Sequence, residues 1–366
     1  MLTVYSDSSR LTTVKNWARV GDMGTLVAFG EIMLRLKSPG HERLFQSPVL
    51  EATFGGGESN VLVSLSRFGK DTRFVTALPE GPVGDACLES LRGRGIDVSS
   101  VLRRAGRMGI YFLENGAGQR GSQVIYDRAD SPVSRVTCGD FDWARIFSDA
   151  SWFHITGITP ALTRNCADVS MKAVKAAKAA GLTVSIDLNF RKKLWKYGAA
   201  APDVMRPLVA LADVVIANEE DIQYCLGIPL PDVDVTTGTL CAAAYRSLAG
   251  RVRSEFPSLS VLAITLRESH SADHNGWSAV LSGATGFLES RKYEITDIVD
   301  RVGGGDAFSA GLICQLSENF SDERSALEFA TAASALKHTI PGDCNLVSRS
   351  EVAALVGGDG SGRVLR

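Results

Sequence analysis

Short apolar runs and helical stretches take turns along most of this 366-residue chain, and that alternation leaves few architectures open. "TLVAFGEIML", beginning at Thr25, reads as a buried strand. "SNVLVSLSRFG" after it sets Val61, Leu62, Leu65 and Phe68 on one helical face, and Gly69 stops the helix. "DTRFVTAL", "SWFHITGI", "TVSIDLNF", "DVVIAN" and "VLAITLRE" are further strands, with helical stretches such as "GDACLESLRGRG" and "MKAVKAAKAAG" between them. Such strands separated by helices imply a mostly parallel sheet covered on both sides, a three-layer α/β/α sandwich.

Two stretches break the rhythm. Residues 32–54 and 108–135, the latter containing "MGIYFLENGAGQRGSQVIYDR", alternate apolar and polar residues around glycine-rich turns. That is a hairpin pattern, so together they predict a small β-sheet lid. Helices return in "DAFSAGLICQLSEN" and "DERSALEFATAASALKH" before a glycine-rich end. The predicted organisation is a disordered leader at 1–24, one folded domain at 25–350 and a tail at 351–366.

Charge narrows the partners. The 39 basic and 41 acidic residues give a net charge of -2 and are dispersed, which leaves no footprint for nucleic acid or anionic lipid and favours a small-molecule partner. Seven cysteines lie scattered without a C-x-x-C pair, and no apolar run approaches a membrane span or the core of a signal peptide. A reducing cytoplasm is the expected location. His270 and His274 have zinc-like spacing but lie in a loop sequence with no third ligand in view. Lys172, Lys175 and Lys178 read as a solvated helix face, and Cys314 as a helix core residue.

Three consecutive glycines in "DRVGGGDAFSAG" (300–311) need a reason, because glycine is costly to order and adds no side chain to a core. A loop tip is one reason; the other is that, directly before a helix, bare N–H groups at Gly303, Gly304 and Gly305 combine with the helix dipole into an anion site with Asp306 at its rim, and the glycine run alone does not decide between them. A second glycine segment, "FGGGESN" (54–60), also precedes a helix.

With these segments and the lid, the chain resembles the ribokinase-like (PfkB-type) carbohydrate kinases from about residue 25 to about 345. "GEIMLRL", "IYFLE", "VIYDRADS", "DLNFR", "ANEED" and "TLRESHSADHNGWSAVL" resemble the 2-keto-3-deoxygluconate kinase branch. The resemblance implies ATP and Mg²⁺, allows a monovalent cation, and implies a homo-oligomer formed through the lid. It also implies transfer of the γ-phosphoryl of ATP to the 6-hydroxyl of the sugar acid. The rivals are the same chemistry on a neutral ketose such as fructose, or a non-kinase relative, a pseudouridine glycosidase or a nucleoside-binding protein. Two departures stand out: Arg301 replaces a small or hydroxylated residue, with Gly304 where alanine is common, and the N-x-x-E motif appears as Asn218 to Asp221 with the shorter acid.

Residue by residue, the resemblance implies Asp306 as the base for the sugar hydroxyl and Gly303 to Gly305 as the holders of the transferring phosphoryl group. Gly56 offers close backbone approach to the sugar and Asn60 an amide for its hydroxyls. Tyr111, Tyr126 and Arg128 sit in the lid strands, the last two on one face, where a guanidinium matches a carboxylate with a two-pronged fork. Arg191, at the end of "DLNFR", is implied to contact substrate or transferred phosphate. Asn218, Thr265 and Arg267 are read as strand ends lining the nucleotide crevice, and Asp221 is implied to order Mg²⁺ through water.

Overall fold

The protein is described here by a computed structural model covering residues 24–230 and 242–360. Residues 1–23 of the expected leader lie outside the described residues. Strand β1 (Thr25–Phe29) shows why the sheet has two covered faces: Leu26 and Ala28 enter one apolar layer, Val27 and Phe29 the other, and all four are buried.

Around β1 the sheet continues in parallel through β4 (Thr72–Pro79) on one side, and through β9 (Ala150–Thr156), β10 (Thr183–Asp187), β11 (Val214–Ala217) and β12 (Val261–Ser269) on the other. Antiparallel β13 (Asn275–Gly283) and β14 (Gly286–Glu289) extend the edge beyond β12. One face is covered by α5 (Arg164–Ala179), α6 (Ala201–Val209), α7 (Glu219–Leu226) and α8 (Ala242–Glu255). The other carries α1 (Gly57–Arg67), α2 (Pro82–Arg92), α9 (Gly304–Glu318) and α10 (Glu323–Lys337). This is the expected three-layer α/β/α sandwich.

A separate four-stranded sheet forms the lid in the order β3 (Glu51–Gly55), β2 (Met33–Lys37), β7 (Ile110–Glu114), β8 (Gln123–Asp127). Its outer pairs are antiparallel hairpins and its central β2–β7 pair is parallel, so the two glycine-rich stretches join along β2 and β7. Met33, Tyr111 and Leu113 face inward as a small cluster with Val302 packed against it. Ile125 and Tyr126 stay exposed.

Several boundaries differ from the sequence reading. "TLVAFGEIML" is two strands in different sheets, because the chain leaves the main sheet at Gly30 and enters the lid at Met33. Strand β10 stops at Asp187, so Arg191 lies in the following loop, and Arg128 is one residue beyond β8. Thr265 and Arg267 are mid-strand, since hairpin pairing with β13 prolongs β12 to Ser269. A boundary at 350 would cut helix α11 (Arg349–Val356), whose start is fixed by a capping box between Ser348 and Glu351.

On α5, Ala173 and Ala177 are buried while Lys172 and Lys175 are exposed; Lys178 departs from the solvated-face reading by pairing with Asp213 at 2.6 Å. Cys314 is buried in the packing of α9. Among the described residues no helix is long and apolar enough to cross a membrane.

Candidate active site

The three glycines have three different reasons. Gly303 caps α9 in the left-handed region (φ 84°), and a Cβ there would fall 1.8 Å from the Asp343 carbonyl oxygen. At Gly304 a Cβ would meet Cε1 of His338 at 2.8 Å. His338 is held by a 2.7 Å bond from its ring to the Ser334 carbonyl and lies against Trp277, so it fills the space that an alanine methyl would need. A Cβ on Gly305 would meet nothing within 4 Å, so its bareness keeps space open over the helix end. Among the described residues the amides of Gly305 and Asp306 have no backbone acceptor, which leaves two donors at the positive end of α9.

Gly304→Ala is therefore expected to overpack this turn and to destabilise the protein by about 1–3 kcal/mol. Adding His338→Ala should give back at least part of that loss, a favourable coupling measurable by a double-mutant cycle in urea. Strict additivity of the two losses would show that the two residues do not compete for this space.

The glycine cradle opens into a cavity of about 460 Å³ beneath the lid. Every residue given a role in catalysis or binding from the sequence lines it: Gly56, Asn60, Tyr111, Tyr126, Arg128, Arg191, Asn218, Asp221, Thr265, Arg267, Gly303, Gly304, Gly305 and Asp306. Asp306 is buried, and burial pushes its carboxyl up to about 7, against the opposing bond from Asn60. Asn60 Nδ2 donates to Asp306 Oδ2 at 2.7 Å and Asn60 Oδ1 accepts from the Gly56 amide at 3.3 Å. Its amide thus orients the carboxylate, where the sequence reading had it greeting sugar hydroxyls. The bareness of Gly56 is also internal, because a Cβ there would fall 2.0 Å from the Glu31 carbonyl oxygen.

Sequence reasoning missed Asp187, the last residue of β10. A carboxylate at the C-terminal end of a parallel strand was the available signal. Burial first, then the charges of Asp221 and Asp306, hold Asp187 well above the usual carboxylate range, and its Oδ2 accepts from Ser309 Oγ at 3.2 Å. Asp221 is raised to about 6 by burial. Both its oxygens accept backbone N–H groups, Phe190 at 2.8 Å and Asn218 at 3.3 Å, while Asn218 Oδ1 accepts from the Asp221 amide at 2.7 Å. These two residues are first of all the capping box that starts α7.

The lid contributes more than an aromatic and a guanidinium. Arg128 lies 5.3 Å from the Tyr126 ring centroid, but it is ion-paired with Glu31, whose other oxygen accepts from Ser131 Oγ. The pairing holds Nε and Nη2 on Glu31, so part of the two-pronged fork is already used on an internal carboxylate. Tyr111 donates to Asp343, which together with Asp300 clasps the buried Arg35 of β2. Burial opposes the charge on Arg35, but Asp343 and Asp300 outweigh it and hold its pKa above the ordinary arginine value.

Away from the cavity, a short strand at Tyr293–Ile295 pairs with β13 and brings Glu294 to His270 and His274 in the β12–β13 turn, so the histidines do gain a third neighbour. Lys292 already neutralises that carboxylate at 3.0 Å and Glu268 at 2.6 Å, so the cluster is a surface ion-pair network.

The pfkB family carbohydrate kinase profile matches residues 23–249. The chain is 33% identical over 337 residues to the 2-dehydro-3-deoxygalactonokinase of Haloferax volcanii, covering 92% of this chain and 98% of that protein. It is 27% identical over 332 residues to the 2-dehydro-3-deoxygluconokinase of Bacillus subtilis, covering 90% and 94% respectively. The crystal structure of the 2-dehydro-3-deoxygluconokinase of Thermotoga maritima superposes with a TM-score of 0.86 at 44% identity, covering 92% of this chain and all of that one. The profile match over residues 23–249 and these relatives place the chain in the pfkB family of carbohydrate kinases, phosphotransferases with an alcohol group as acceptor.

Proposed function

We propose that the chain transfers the γ-phosphoryl group of ATP to the 6-hydroxyl of 2-keto-3-deoxygluconate. The observation that carries this is Asp306, a buried carboxyl poised near neutrality at the rim of an open anion cradle, in one cavity with the lid residues Tyr126 and Arg128. The hydroxyl oxygen attacks the γ-phosphorus and its proton passes to Asp306 Oδ1, while Asn60 keeps Oδ2 in place. The bond to the bridging oxygen breaks and its electron pair leaves with ADP. The amides of Gly305 and Asp306 take the charge that spreads over the transferring group.

Three desolvated carboxylates, Asp187, Asp221 and Asp306, crowd this cavity, and a hard divalent cation relieves their repulsion. Asp187, with the freer oxygens, would hold Mg²⁺, and Asp221, with both oxygens on backbone amides, would act on it through water. Bound Mg²⁺ supplies charge neutralisation for the phosphates. The exposed Phe45, Val49 and Ile125 near the lid support a homo-oligomer formed through it, which light scattering of the purified chain checks.

The acid substrate rests on Arg128, whose Nε and Nη2 bind Glu31 and whose Nη1 remains for a substrate carboxylate. Arg128→Ala is expected to lower kcat/KM for 2-keto-3-deoxygluconate about 10- to 100-fold more than for fructose, as for the loss of a hydrogen bond to a charged group. Damage from leaving Glu31 unpaired lowers both alike, so the ratio isolates the carboxylate. Equal losses would remove Arg128 from substrate recognition, and a wild type preferring fructose would replace the sugar-acid reading with the ketose one. The match to the Haloferax volcanii 2-dehydro-3-deoxygalactonokinase makes the epimeric 2-keto-3-deoxygalactonate the second acid to assay.

A further inference from the structure

We infer that Arg301 binds the nucleotide's phosphates and neutralises the charge that grows on the oxygen leaving with ADP, a role that rests on the kinase reading above. Arg301 stands two residues before the glycine that caps α9 and lines the same cavity as the cradle. Its Nη2 donates to the backbone carbonyls of Ala272 at 2.7 Å and Ser271 at 3.2 Å. Those two bonds fix the plane of the guanidinium but leave its charge uncompensated, because carbonyl oxygens are neutral acceptors. No carboxylate among the described residues lies within ion-pair distance of it. That sets it apart from Arg35 and Arg128 in the same region, which are both paired with acids.

Arg301 is not alone in lacking an acid. Arg191 and Arg267 line the cavity too, and neither has an ion-pair partner among the described residues. Protein crowded around the Arg267 guanidinium, which lies 5.4 Å from the Trp277 ring centroid, and then the like charges of Arg301 and Arg191 push its pKa down, although the residue as a whole is exposed. Arg191 also stands in the field of Asp187, Asp221 and Asp306, so the charges least offset are those of Arg301 and Arg267, and two such cations beside bare amides call for a ligand with several negative charges in a row. A triphosphate meets that demand, whereas a sugar acid brings one charge. Of the three, Arg301 is joined most directly to the cradle, since the Gly304 amide reaches the Arg301 carbonyl at 3.4 Å.

In the transfer, the bond between the γ-phosphorus and the bridging oxygen breaks, its electron pair stays on that oxygen, and the sugar oxygen forms the new bond while its proton passes to Asp306. The Arg301 guanidinium is placed to meet the charge left on the departing diphosphate. The competing role is mechanical. The loop Arg301 grips is also tied to the lid, through the Ala272 amide on the Gly118 carbonyl at 2.8 Å and the Gly118 amide on Asp273 at 2.6 Å, so Arg301 would merely anchor that loop.

The test uses the full chain with sugar phosphorylation kinetics, calorimetric binding of ADP and AMP, and melting temperature. Arg301→Met is expected to lower kcat about 10²-fold, with the sugar KM moved by less than about threefold and the preference for ADP over AMP reduced. Arg301→Lys, which keeps the charge without the fork, should fall between, and Arg301→Ala should recover activity with added ethylguanidinium. Wild-type kcat in Arg301→Met, or a loss that tracks a lower melting temperature with the ADP preference unchanged and no rescue of Arg301→Ala by ethylguanidinium, would overturn the inference and leave Arg301 as a loop anchor. A wild type that phosphorylates no sugar sinks the kinase reading as well, whereas sugar transfer indifferent to Arg301 sinks this inference alone.

Discussion

Replacing Asp306 by Asn is expected to lower turnover about 10²- to 10⁴-fold while ADP binding stays near the wild-type value. The amide keeps the volume and can still accept the 2.7 Å bond from Asn60, so it removes the proton acceptor and little else. Because burial raises the wild-type carboxyl to about 7, kcat/KM should climb with pH through neutrality as the group becomes a base. Asn60→Ala deletes a bond that favours the charged form, so its pH limb should move to higher pH. Stability moves oppositely. A carboxyl bound more tightly to its proton when folded costs nothing below its unfolded value of 3.8, and its cost grows until pH passes about 7. Asp306→Asn should therefore be more stable than the wild type at pH 8, by on the order of 4 kcal/mol, and no more stable at pH 4. Near-wild-type turnover in the Asn variant would take Asp306 out of the chemistry, and a stability gain that ignores pH would take the buried charge out of the explanation.

Which parts of this were legible follows from what is local. The period-2 and period-3.6 patterns fixed the sandwich, and glycine before a helix pointed to the cradle, because both signals lie within a dozen residues. The joins between distant segments left no such mark. Nothing in "GEIM" says that Glu31 will hold Arg128, 97 positions away. Nothing near Gly304 announces His338 behind it. The split of "TLVAFGEIML" escaped detection because an apolar run reads the same whether it stays in one sheet or passes to another. Arg191 and Thr265 were placed at strand ends for a related reason: ladder length depends on the neighbouring strand, which is far away in sequence.

Arg35 carries the largest consequence of those long-range joins. Read locally it is a polar position in an alternating lid strand, yet it is 1% exposed and bonded at once to Asp300, just before the cradle, and to Asp343, in the turn after α10. Arg35→Met fits the volume but strands two buried carboxylates, for which the usual cost is about 3–5 kcal/mol. Tyr111 on Asp343, the amides of Val302 and Gly342, each 3.1 Å from an Asp300 oxygen, and the nearby buried Lys337 ammonium satisfy part of the demand, but leave one cation for two carboxylates. Activity should fall with stability, because the Asp343 backbone lies against Gly303 and any shift of that turn displaces the cap of α9. The diagnostic feature is pH. Unpaired buried carboxyls bind protons more tightly in the folded state, so the stability deficit of Arg35→Met should be greatest near pH 8 and shrink toward pH 5. Adding Asp300→Asn and Asp343→Asn should restore much of the melting temperature at pH 8, since it removes the charges left without a partner. A deficit of equal size at both pH values, or no recovery in the triple variant, would mean that Arg35 acts by packing and that the lid is not latched to the cradle by charge.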